Sequence, residues 1–103
     1  MGLLTEELRD RLPPMHSQEA EDEPWVYACF FLLQTTWRWY VIEGEPLAGD
    51  FLFFGFVEGL ESEFCQFLLS ELEALRGPKD VFVQRQESFI EGKLTDVVPA
   101  PDL

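Results

Sequence analysis

Residues 35–43 read Thr35-Thr36-Trp37-Arg38-Trp39-Tyr40-Val41-Ile42-Glu43, and this stretch decides the fold class. It is dense in β-branched and aromatic residues, the types that fit a pleated, half-buried surface. Alternation puts Trp37, Trp39 and Val41 on one face and Thr36, Arg38, Tyr40 and Ile42 on the other, which predicts a strand. Upstream, Trp25–Leu33 is apolar on both alternating faces, as in a central strand covered on both sides. Downstream, Gly44–Asp50 predicts a turn and Phe51–Val57 a third strand, in which Gly55 marks a bulge or a tight contact. Glu58–Ser62 predicts another turn and Glu63–Leu69 a fourth strand. Short polar connections favour antiparallel neighbours, hence a meander.

Helix signals flank this run. Leu4, Leu8 and Leu12 recur every four residues, Glu6 and Glu7 suit a first turn, and Pro13-Pro14 stop the chain, predicting a helix over 4–12. Residues 15–24 have the composition of an exposed acidic loop. Ser70-Glu71-Leu72-Glu73 fits a capping box, and Gly77-Pro78 end the helix it starts. Val81–Gln86 predicts a short fifth strand at a sheet edge. From Glu91 the chain is thin in large apolar residues and carries Pro99 and Pro101, predicting a loosely held tail. The expected organisation is one compact α+β domain over residues 1–92, followed by a tail over 93–103. Its core is an antiparallel four- to five-stranded meander sheet with one or two short helices packed on it.

The charge balance narrows the partners. Twenty Asp and Glu face seven Lys and Arg among 103 residues, a formal net charge of −13. Such a field repels nucleic-acid phosphates and anionic membranes and attracts basic protein surfaces. No stretch reaches the roughly 20 apolar residues of a membrane helix. The first residues lack a basic region followed by an apolar one, and Glu6 breaks a myristoylation pattern at Gly2, so no secretory signal or acyl anchor is expected. Cys29 and Cys65 sit in apolar runs, as reduced buried thiols do. A cytoplasmic protein is the expectation.

Three segments together resemble a known family. Thr36-Trp37-Arg38-Trp39-Tyr40-Val41-Ile42-Glu43, Phe53-Phe54-Gly55-Phe56-Val57 and Leu69-Ser70-Glu71-Leu72-Glu73 are similar to a bacterial and plasmid-borne family catalogued as domain of unknown function 2958. The Leu12-Pro13 and Arg76-Gly77-Pro78 steps fit as well, and the similarity spans roughly residues 3–90. The resemblance implies a small cytosolic protein often encoded on mobile elements beside DNA-processing genes. This chain departs from the family pattern at Cys65-Gln66, where members carry Gly-Tyr, and at Gln86, where an acidic residue follows the arginine.

Candidate sites follow from charge and aromatic content. From Trp39 to Leu75 there are eight carboxylates and no Lys or Arg. The residues expected to meet a partner are Glu43, Glu45, Asp50, Glu58, Glu61 and Glu63, beside the meander turns, with Arg38 as a recognition cation whose natural neighbours are Tyr40 and an acid on an adjacent strand. The function expected is a non-enzymatic acidic protein-binding module. In its specific form it is an anti-defence or regulatory inhibitor that occupies a basic, nucleic-acid-binding surface of another protein. One alternative is an adaptor with an exposed apolar patch around Trp25, Phe51 and Phe53. The other is a small carboxylate- or metal-dependent hydrolase. No cofactor or metal site is expected: Glu43-Gly44-Glu45 and Glu58-Gly59-Leu60-Glu61 only approximate a calcium loop. His16 is the sole histidine, no glycine-rich phosphate loop is present, and no nucleophile with a base is discernible.

Overall fold

A computed structural model describes residues 2–98 and shows an α+β fold. The strands are β1 (Trp25–Val26), β2 (Ala28–Leu32), β3 (Arg38–Leu47), β4 (Asp50–Glu58), β5 (Ser62–Leu68), β6 (Val83–Arg85) and β7 (Gly92–Lys93). The helices are α1 (Glu6–Arg11), α2 (Leu69–Ala74) and α3 (Leu94–Val97), with a 3-10 turn at Pro78–Asp80. Five strands form one antiparallel sheet in the order β5-β4-β3-β2-β6, while β1 and β7 pair apart from it.

The meander is present, but its β3–β4 turn is shorter than the sequence predicts. β3 runs on through Gly44 to Leu47, and only Ala48 and Gly49 turn the chain, at φ 48° and 82°. Two left-handed residues match the twist of a tight hairpin. Trp25–Leu33 is broken at Tyr27, so that β1 leaves the main sheet to pair with β7. The second helix also begins two residues early. Leu68 is its N-cap, and Glu71 rather than Glu73 reaches back to the Leu68 N–H at 2.9 Å. Ser70 instead binds Asp50. Over 93–98 the predicted loose tail is docked, because Leu94, Val97 and Val98 pack on a second core of Val26, Cys29, Tyr40 and Ile42. Residues 99–103 of that tail lie outside the described residues.

The main core occupies the other face. Phe30, Trp39, Val41, Phe51, Phe53, Val57 and Phe67 pack there with Leu8 and Leu12 of the α1 segment and Leu72 of α2. Each ring contributes on the order of 150–250 Å² of burial, which is how so short a chain builds a stable centre. The Phe53 ring meets Phe30 edge-on and stacks on Phe67, both at 5.5 Å between centroids.

A β-bulge controls the alternation. Val41 pairs with Gly55 and Glu43 with Phe54, leaving Ile42 without a partner of its own. Gly44, not Glu43, therefore returns to the Phe53 face. Gly55 permits the close approach, since a Cβ there would lie 2.0 Å from the Tyr40 carbonyl oxygen. That obstacle is backbone and cannot rotate away. Gly55→Ala should cost roughly 3 kcal/mol of stability, read as a lower urea midpoint.

Candidate functional site

The six carboxylates nominated by charge do not form one surface. Glu43 is 2% exposed and is, among the described residues, the buried charged one. Its oxygens accept from the His16 N–H at 2.8 Å and the Gln18 N–H at 2.7 Å, and Glu45 accepts from the Met15 N–H at 2.8 Å. The loop that reads as exposed and acidic is thus latched to β3. Gln18 completes the latch, since its side chain donates to the Trp25 and Ile42 carbonyls and accepts from the Trp25 N–H. Glu43 is consequently a structural residue and not a partner contact. A buried carboxylate needs its lone pairs met, and the loop amides meet them.

Asp50 and Glu58 also have internal roles. Asp50 accepts from the Phe51 and Ser70 amides and the Ser70 hydroxyl, and these bonds hold its carboxyl below the usual carboxylate range. Glu58 accepts from the Tyr40 hydroxyl at 3.1 Å. Arg38 stands opposite Glu58 in register, with its guanidinium 5.9 Å from the Phe31 ring centroid. Glu61 and Glu63 remain exposed, but register places Glu63 beside Val57 on the helix-covered face and Glu58 on the other. The aromatic patch expected around Trp25, Phe51 and Phe53 is likewise corrected. Phe51 is 2% exposed and Phe53 is fully buried, leaving only Trp25 at the surface.

An open aromatic surface does exist, on the side of the sheet away from α1 and α2. Phe56 pairs with Phe64 across β4 and β5, and Phe54 lies one row further along. Phe64 stacks on Phe54 with centroids 5.9 Å apart and meets Phe56 edge-on at 5.1 Å. Phe54 and Phe56 are half-buried against the second core, whereas Phe64 is 50% exposed. Glu58 and Ser62 border these rings in the next row, and Glu61 sits in the adjoining turn. Strand parity in Phe51–Val57 contains the signal for this ledge, once Phe51 and Phe53 are assigned inward.

The potential chemical groups are quiet. Burial pushes the Cys29 thiol up to about 11, and Cys65, half-buried, is shifted in the same direction for the same reason. The Tyr40 hydroxyl is raised by burial and by its neighbours Cys29 and Glu58. His16 lies at the surface, where its bond to Glu19 at 2.6 Å raises its affinity for a proton. Among the described residues no group of three or more His, Cys, Asp or Glu is placed to hold a metal ion, and no helix is long and apolar enough to cross a membrane.

Comparison of the chain with protein-family models, with curated proteins and with solved structures gives no match.

Two measurements test this placement. Glu43→Ala should cost about 2–4 kcal/mol, by stranding the His16 and Gln18 amides, and should speed hydrogen exchange at both; Glu61→Ala should stay within about 0.5 kcal/mol. At pH 8 iodoacetamide should alkylate Cys65 in the folded protein and reach Cys29 only on unfolding. The same Cys29 shift sets a pH dependence. The unfolded thiol ionises near 9 and the folded one near 11, so its contribution to stability is intact below pH 9 and declines as pH rises to 11.

Proposed function

We propose that the protein is a non-enzymatic binding module that engages a basic protein surface through the Phe54–Phe56–Phe64 ledge. The observation that carries this reading is the ledge itself: Phe64, half exposed, packs against both Phe54 and Phe56 on one face of the sheet. Exposed aromatic clusters bordered by polar residues are typical binding anchors. The occupant is argued from charge. Glu58 and Glu61 flank the rings, and a net charge of −13 draws a cationic surface while repelling a second copy of the chain. A basic segment with apolar side chains satisfies both requirements.

The sharper form of the proposal is an inhibitor whose target is a nucleic-acid-binding protein. The family resemblance supports it through the association with DNA-processing genes. The rings supply anchoring and the acids supply steering, so the ledge holds the complex while charge sets its rate and salt dependence.

Anisotropy with a fluorescein-labelled peptide of alternating Lys and Leu tests this reading against a Glu-Leu counterpart. The Lys-Leu peptide should bind and weaken with salt, and the Glu-Leu peptide should not bind. Phe64→Ser should weaken binding at least tenfold, about 1.4 kcal/mol. Ile90→Ser, at an exposed apolar position off the ledge, should leave it unchanged. Equal losses at the two positions, or none at Phe64, would overturn the proposal.

A further inference from the structure

β6 is the edge strand beside β2, and it borders a cleft of about 800 Å³. Phe31 and Phe82 give the cleft apolar wall, and Gln84, Arg85 and Gln86 give it polar wall. Register sets Arg85 opposite Phe30 and Gln84 opposite Phe31, so the lining wraps the edge of the sheet from one face to the other. Arg85 also lines a second cleft, of about 290 Å³, that extends to α1.

Among the described residues Arg85 is a cation that takes part in no ion pair. Its Nε is buried and makes no hydrogen bond. The other arginines differ. Arg11 pairs with Glu91, and Arg76 donates to the Glu73 and Leu75 carbonyls. Arg9 and Arg38 lie over the Phe51 and Phe31 rings. The described residues hold all but one of the chain's twenty acids, and a half-buried guanidinium that pairs with none of those described runs against the average chemistry of the molecule. Buried donors are nearly always satisfied, and an orphan calls for an explanation such as a partner that arrives from outside. The backbone adds a second donor. The Gln86 N–H bonds to the Cys29 carbonyl, so the alternation of an antiparallel ladder turns the Arg85 N–H toward the free edge.

We propose that this cleft binds an oxyanion, a carboxylate or a phosphate monoester, carried on an apolar body. The Arg85 guanidinium receives the anion, and the body lies across the strand edge against Phe31 and Phe82. Glu73 and Glu87 also border the cleft, so a bare anion is opposed by local charge and by the net charge. Apolar contact therefore has to supply part of the affinity. The site is separate from the β4–β5 ledge and stands without it.

Benzoate, phenyl phosphate and neutral benzyl alcohol serve as probes for the full chain, at constant ionic strength. The readouts are the Arg85 Nε–Hε and the Gln84–Glu87 amide resonances. At least one anion should shift them saturably, and benzyl alcohol should not. The relative affinity of the two anions tells carboxylate from phosphate. Arg85→Gln should bind at least tenfold more weakly, and its melting temperature should stay within about two degrees, because Arg85 pairs with no acid among the described residues. The titration of the unaltered chain decides the matter without any variant: no saturable shift with either anion overturns the proposal. Undiminished binding in Arg85→Gln does the same.

Discussion

An ionised carboxylate withdrawn from water is costly unless donors replace the water on each oxygen. Glu43 meets that requirement through the main chain of a loop more than twenty residues upstream. The loop cannot wander without exposing or stranding the charge. Its anchoring fixes the path from Pro13 to Trp25, and the Gly44 N–H bond to the Pro13 carbonyl joins the end of the α1 segment to the same strand. His16 is held at φ 72°, a left-handed conformation that side chains seldom adopt, while its N–H points to Glu43. One acid in β3 thereby sets where α1 lies on the sheet.

The bulge at Ile42 makes this possible. In regular alternation Glu43 would share the face of Val41 and enter the main apolar core. The extra residue moves it to the register of Phe54 and passes the inward position to Gly44. The close contact between Gly55 and the Tyr40 backbone lies in the same part of the ladder. Backbone packing and charge burial are thus linked at a single irregularity. Gly55 is legible in the sequence as a strand glycine with a packing purpose, but the bulged residue on the facing strand is not.

Strand identity was readable because β-branched and aromatic runs between polar turns have few other solutions. Element boundaries depended on partners that composition does not reveal. Gly44-Glu45-Pro46-Leu47 has turn composition, yet it pairs with Phe51–Phe53 and their neighbours as strand. Ser70 has the chemistry of an N-cap, but Asp50 claims its hydroxyl, and Leu68 caps with its backbone alone. The docked segment over 93–98 is not legible, because Leu94, Val97 and Val98 are few and their packing surface is supplied by Val26 and Ile42 from distant strands.

The same distinction governs the candidate site. Sequence reports the sign of a side chain and not what it is bonded to, so Glu43, Asp50 and Glu58 look equivalent to Glu61. Tertiary contacts divide them into a latch, a helix cap, a tyrosine acceptor and an exposed acid. Residues of the resemblance motifs divide in a parallel way. Trp39, Val41, Ile42, Phe53 and Gly55 are buried and maintain the sheet, so those motifs are chiefly fold determinants. Cys65 and Gln66 fall elsewhere. Gln66 pairs with Phe54, beside the ledge, where a tyrosine would add another ring to the exposed cluster. A polar side chain there narrows the aromatic surface to Phe54, Phe56 and Phe64. Variation at residue 66 therefore changes the ledge while leaving the buried sheet intact.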